Sequence, residues 1–271
     1  VILWSEQTAD IDTDTIQNLA NATSHRPLEL VVPAAKAKRE SFGDIDLTMV
    51  CVDSKLFTAM NQLAAAASGS YLCFLNSCIL PENADWADAM MRQAQRPQVG
   101  AVGSYIQNQK GIGRHAGYAI GRKQIAASYC QGPLLRNTRQ MMRHGIARDV
   151  AAVSFAYCMM RTEVFHRCGC FCEAYSAYLS DIDLCQQILK IGLCNLYLPN
   201  APARYQERRG AASPFWDGGI AVGERDASIY RQRHPEGAVD PYYNIQFSLS
   251  DAKYRDYNYN VSILCERGKT K

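Results

Sequence analysis

Over the first third of the chain, short apolar runs alternate with stretches of helical periodicity, and this pattern constrains the fold more than any other feature. Apolar runs at 1–5, 28–33, 47–53 and 71–75 are separated by connections that include helix-like segments over 13–22 and 55–67. Short, nearly unbroken apolar runs suit strands covered on both faces, and strands joined through helices pair in parallel. The pattern predicts an α/β fold with a mainly parallel central sheet flanked by helices. Ligands of such sheets bind beyond the carboxyl ends of the strands. Here those ends are Ser5, the stretch from Pro33 to Lys36, Asp53, and Asn76 to Cys78.

The later chain reads less regularly. A helix is predicted over 85–95, with Trp86, Met90 and Met91 on its apolar side, then a strand over 99–105 and a loop over 107–114. The polar stretch 124–149 has no clear element, and a connection that long either covers a functional cleft or is mobile. An apolar strand over 150–161 leads into a helix at 162–167. A second helix over 180–191 has Ser180 as a candidate N-cap and Gly192 at its end, and a short strand over 196–199 follows.

Composition excludes several classes. With 271 residues and 48% hydrophobic content, the chain can bury a large core. Its net charge of +3 is spread along the sequence, without the basic tract that nucleic-acid phosphates require, so small anionic or neutral ligands fit better. No apolar run approaches the roughly 20 residues that span a bilayer, and the run at 1–4 is too short for a signal peptide. A chain opening at Val1 in a strand-like run reads as a piece of a longer protein whose other parts could carry a membrane anchor or a second activity.

Of the eleven cysteines, Cys51, Cys73, Cys158, Cys185, Cys194 and Cys265 lie in or beside apolar runs, where a reduced thiol behaves as a small hydrophobe. That usage points to the cytoplasm, or to the inner face of a membrane. Cys168, Cys170 and Cys172 cluster near His166, but alternate spacing on an extended segment turns Cys170 away from its neighbours, and structural zinc sites use Cys-x2–4-Cys. Reduced thiols are the favoured reading, with a metal or redox protein as a minor third.

From Asn61 to Gly210 the residues resemble family 2 glycosyltransferases of the rhamnosyltransferase-like kind. The matching pieces are Asn61, the run from Ala67 to Asn76, Val99 to Gly103, and His115-Ala116-Gly117 with Gly121. Further on come Met160 to Phe165, Ser180 to Cys185, Leu196 to Ala201, and Asp240-Pro241-Tyr242-Tyr243-Asn244. The resemblance implies a GT-A fold with a Rossmann-like nucleotide-binding half and an acceptor half. It implies a core over 1–212, with a helical, aromatic extension over 213–271 packed on it. The aromatic residues there, Tyr242, Tyr243, Phe247, Tyr254, Tyr257 and Tyr259, favour packing over a carbohydrate contact surface.

The implied chemistry is inverting transfer of a sugar from a nucleotide-sugar to a glycan or cell-surface polysaccharide. Such a reaction needs a base for the acceptor hydroxyl and positive charge for the leaving phosphates. By the resemblance Asp181 is the base, with Ser180 where a Glu is usual. Taken alone, Asp181 and Asp183 read equally as first-turn residues of a helix. Asn76, Ser77, Cys78 and Asp183 are placed on the donor. Arg208 and Arg209, with Arg204 nearby, lie on the loop that closes over the diphosphate, although a solvated charged loop reads as well. Lys36, Lys38 and Arg39 carry the same ambiguity. His115 is placed on the acceptor, although a lone histidine is more often structural.

Both usual metal ligands are missing. Cys78 stands where the family has the Asp of its metal motif, and Tyr205 where it has a His, a poor set for hard divalent cations. Pro33 or Ala34 replaces an Asp that contacts the nucleotide, and Phe155 stands where a Gly lets backbone approach the donor, which would partly close the donor pocket. A transferase without a tightly bound metal is therefore the leading expectation. The alternative is a catalytically inactive GT-A module with a structural, assembly or glycan-binding role in a larger protein.

Overall fold

Each apolar run of the first third becomes a strand. A computed structural model of the chain describes residues 1–5, 11–122, 125–129, 132–133, 145–176, 179–206, 222–237 and 240–243. Strands β1 (Ile2–Trp4), β2 (Glu29–Pro33), β4 (Ile45–Val50) and β5 (Tyr71–Asn76) pair in parallel in the order β5-β1-β2-β4. Their carboxyl ends therefore share one edge. The edge strand β3 (Lys38–Phe42) runs antiparallel to β4. It escapes a hydrophobicity reading because its residues are largely exposed. Lys38 pairs there with Glu40, and Arg39 donates to the Ala66 carbonyl (3.3 Å).

Helices α1 (Thr13–Asn21), α2 (Leu56–Ala66) and α3 (Trp86–Ala94) cover the sheet. Asp12 caps α1 by accepting from the Thr15 amide (2.7 Å), and Ile16, Leu19 and Ala20 recur at the helical period to form its buried stripe. On α2 the stripe is Phe57, Met60, Leu63 and Ala64. Trp86 at the start of α3 is fully buried, and its indole N–H is satisfied by the Thr23 hydroxyl (3.1 Å).

After β6 (Ile79–Pro81), the long strand β7 (Val99–Asn108) turns back through β8 (Ile112–His115), and β9 (Tyr118–Arg122) and β10 (Ile125–Ser128) form a separate hairpin. The stretch expected to be irregular holds β10, the short β11 (Gly132–Pro133) and β12 (Arg148–Val150). The expected strand over 150–161 divides: Val150 ends β12, and β13 (Tyr157–Arg161) is a separate strand, inserted antiparallel between β5 and β7. Residues 151–156 form a buried connection instead.

Helices α4 (Thr162–Arg167) and α5 (Ser180–Lys190) follow. The last strand, β14 (Cys194–Tyr205), is longer than the expected 196–199 because it resumes beyond a register shift between Leu198 and Ala203, where Pro199 and Pro202 hide the continuation. It runs parallel to β7, so Asn108 and Tyr205 reach the same edge as Asn76. Two glycines of β7 allow close packing here. A Cβ on Gly100 would lie 2.2 Å from Ile188 of α5, and one on Gly103 would lie 2.5 Å from Val153.

Helix α6 (Glu224–Arg233) belongs to the segment read as an extension. Tyr243 is buried there and Tyr242 exposed, while Phe247, Tyr254, Tyr257, Tyr259 and Cys265 lie outside the described residues. Among the described residues no helix is long and apolar enough to cross a membrane.

Candidate functional site

The carboxyl edge of the sheet collects most of the residues singled out from the sequence. Ser77 donates its amide to the Trp4 carbonyl (2.8 Å), and Asn76 donates its own to Ala156 (2.8 Å), which joins the ends of β1 and β5 to the 151–156 connection. The Asn76 side chain is buried and accepts from the Cys78 amide (2.9 Å), so it shapes the 76–78 turn. The Ser77 hydroxyl is buried with no hydrogen-bond partner among the described residues. Cys78 accepts the Gln206 amide on its carbonyl (2.7 Å), and Ile79 pairs with Tyr205 across β6 and β14. The two positions where the resemblance expects metal ligands, far apart in sequence, are thus neighbours.

Their chemistry does not fit a hard cation. Cys78 offers sulfur, and Tyr205 is a buried phenol at the end of a ladder. Among the described residues no group of three His, Cys, Asp or Glu side chains could hold a metal ion. Arg204, one of the expected cations, is paired with Glu82 (2.8 Å), which also accepts from Gln107 (3.0 Å). Arg208 and Arg209 lie outside the described residues.

Asp181 sits in the first turn of α5. Ser180 does not cap that helix: Leu179 holds the cap position, and the buried Ser180 hydroxyl donates to the Cys172 carbonyl (3.2 Å). Asp181 is partly exposed as a residue, yet surrounding protein crowds its carboxyl group and pushes its pKa up to about 7. The Ile182 amide (2.8 Å) opposes that rise by donating to the carboxylate, and the nearby Phe155 amide opposes it too. A carboxyl group at the carboxyl edge that titrates near neutrality is suited to proton transfer at physiological pH.

Three of the expected residues are engaged by the protein's own groups. Asp183, expected on the donor, is bound by Arg233 and His234. Two residues along a helix is about 200° of rotation, so Asp181 and Asp183 face opposite ways. The Asp183 carboxylate is 1% exposed and accepts from Arg233 (2.9 Å on each oxygen), from His234 Nε2 (2.7 Å) and from the Tyr175 hydroxyl (3.4 Å). These partners outweigh desolvation and hold its pKa below the usual carboxylate value. It ties α6 to α5, and Asp226 of α6 accepts from the amide and hydroxyl of Ser176, ahead of α5 (2.9 and 3.1 Å).

His115, expected on the acceptor, is 1% exposed, and its Nε2 accepts the amides of Gly117 (3.2 Å) and Ser154 (3.1 Å). Phe155, expected to obstruct the donor pocket, points its ring into the core against Phe74 and Phe171, with centroids 5.4 and 5.0 Å away.

The resemblance also marked residues whose purpose the sequence does not disclose. Asn61 on α2 donates to the Phe171 carbonyl (3.0 Å) and Glu173 (2.9 Å) and accepts from the Phe171 amide (3.0 Å), while Thr58 donates to Glu173 (3.0 Å). This clamp ties α2 to the loop that leads into α5. Cys168, Cys170 and Cys172 form no disulfide, and burial raises the pKa values of Cys168, to about 11, and of Cys170. A cavity of about 330 Å³ lies at the opposite edge, among Ile2, Leu28, Glu29, Tyr71 and Cys73 at the amino ends of the parallel strands, away from Asp181.

No family model matches the chain. It is 30% identical over 203 residues to the O-antigen biosynthesis protein RfbC of Myxococcus xanthus, a match that covers 72% of this chain but spans only 15% of that protein's length. Among solved structures it resembles GalNAc-T7 with UDP, GalNAc and Mn2+ (TM-score 0.59, 12% identity, 86% of this chain and 48% of that one). It also resembles the mannosyltransferase PcManGT of Pyrobaculum calidifontis, in complex with GDP-Man and Mn2+ (TM-score 0.52, 14% identity, 78% of this chain and 57% of that one). The chain thus has a GT-A-like glycosyltransferase fold and is a distant homologue of RfbC.

Proposed function

We propose that this domain transfers a sugar, with inversion, from a nucleotide-sugar to a glycan or cell-surface polysaccharide acceptor on the cytoplasmic side of a membrane, without a tightly held metal. The observation that carries the reading is Asp181: a carboxyl group of pKa about 7 in the first turn of α5, anchored at the sheet's carboxyl edge. In the reaction Asp181 accepts the proton of an acceptor hydroxyl. The freed oxygen pair bonds to the anomeric carbon, and the bond from that carbon to the nucleoside diphosphate breaks on the opposite face, inverting the centre. Asn76, Ser77 and Cys78 are the donor-side residues of this reading. Catalysis belongs to a core over 1–212, with 213–271 as its extension.

The absence of a hard-ligand set at Cys78 and Tyr205 favours a second reading, a non-catalytic GT-A module inside a longer protein. A thermal-shift screen of nucleotide-sugars and nucleoside diphosphates, in chelator and in millimolar manganese, separates the two, because a ligand that binds only the native state raises its melting temperature. The transferase reading expects at least one nucleotide-sugar to stabilise the protein in chelator. Silence across the panel under both conditions favours the module.

A further inference from the structure

Between β12 and β13 the buried connection 151–156 is held from several directions. Gly103 leaves room for Val153, and the Cys185 thiol donates to the Val153 carbonyl (3.7 Å). The Trp4 indole donates to the Phe155 carbonyl (3.3 Å), the Asn76 amide donates to the Ala156 carbonyl (2.8 Å), and the Phe155 amide lies near the Asp181 carboxylate, whose rise in pKa it opposes. The Ser154 amide, one residue before that contact, is taken by His115.

His115 is unusual in accepting two backbone N–H groups on one ring nitrogen, which places its proton on Nδ1. The ring packs against Tyr118 with centroids 4.6 Å apart. Burial, with the Arg148 charge as a smaller contribution, lowers its pKa to about 3. A proton on Nε2 would remove both acceptor contacts. His115 therefore stays neutral through the range in which Asp181 titrates.

We propose that His115 is a positioning residue: by fixing the Ser154 amide it orients the 154–156 turn, so that the Phe155 amide meets Asp181 and the Ala156 carbonyl meets the end of β5. The inference rests on reading Asp181 as the base. It differs from contact with the acceptor, since His115 acts here through the backbone amides it holds. Among the described residues the thiols of Cys158 on β13 and Cys185 on α5 also lie close to Asp181, and burial keeps both protonated.

The test uses protein labelled with 15N at phenylalanine, the Phe155 signal being assigned by its loss in Phe155→Leu. In the wild type that amide should shift with pH at a midpoint near 7, and the shift should vanish in Asp181→Asn. In His115→Phe, which keeps a ring but removes the acceptor, the pH-dependent shift should fall at least twofold. Turnover should then drop about tenfold or more, mainly in kcat, while KM changes less than threefold. His115→Gln, which retains a carbonyl acceptor, should recover part of both.

A folded His115→Phe with an unaltered Phe155 titration overturns the proposal. Should that variant not fold, long-range 1H–15N spectra of the wild-type imidazole decide: a neutral ring protonated on Nδ1 from pH 5 to 9 is required, and an Nε2-protonated or cationic ring contradicts it. The amide titration reads the contact whatever the turnover. Full activity in Asp181→Asn alongside a normal wild-type titration would sink the base reading and leave the His115 contact standing.

Discussion

The two sides of the carboxyl edge differ in kind. On one side Asp181 is held in the first turn of α5, between the Phe155 amide and its own helix, and its carboxyl group is poised near neutrality. On the other, Cys78 and Tyr205 come to neighbouring positions where the resemblance expects two metal ligands, and they bring a thiol and a phenol, which hard divalent cations do not favour. The scaffold is the same on both sides: β5 and β14 deliver their ends to one edge. On the function proposed above, a proton acceptor and a metal site would be separable parts of such a fold.

Stability gives the largest expected contrast. Asp183→Ala leaves Arg233 and His234 without their buried partner and should cost about 3 kcal/mol, whereas Cys78→Ala should cost under about 1 kcal/mol. Chemical denaturation of both variants measures this. Because the folded-state pKa of Asp183 lies below the ordinary value, its contribution is present above about pH 4 and lost as pH falls through the folded value. The Asp183 difference should therefore shrink in acid. Equal costs at the two positions would erase the contrast.

Asp181 carries the opposite sign. Its folded-state pKa is raised to about 7, so the stability linked to its protonation is complete below the ordinary carboxylate value and lost as pH climbs towards 7. Asp181→Asn should match the wild type near pH 4 and exceed it by roughly 1–3 kcal/mol, several degrees in melting temperature, at pH 8. A variant less stable than the wild type at pH 8 would show that the carboxylate is favourably solvated. The smallest effect is expected on the metal side: manganese should improve nucleoside diphosphate affinity by less than tenfold, about 1.4 kcal/mol, over chelator. A larger gain in calorimetry would place ligands that Cys78 and Tyr205 do not supply.

The parallel half of the sheet was legible in the sequence because strands buried on both faces are written as apolar runs, as in Tyr71 to Leu75. Strand β3 was not, since an exposed edge strand such as Lys38–Phe42 shows neither run nor alternation. The resemblance placed Asp181 in the first turn of a helix, but helix rotation set Asp183 apart from it, and neither spacing nor motif discloses the partners Arg233 and His234. Burial likewise decided His115 and Phe155, whose ring directions depend on contacts far away in the chain. Asn61 matched the family pattern, yet only the fold shows that it touches Glu173.

The most direct test of the account is turnover of a nucleotide-sugar identified in the screen, measured in chelator across pH for the wild type and Asp181→Asn. The wild type should turn over without added metal, with a rate that rises with pH through a midpoint near 7. Asp181→Asn should fold normally and lose roughly 10²-fold or more in rate. Equal rates in the two proteins, or wild-type turnover that appears only with manganese, would contradict it.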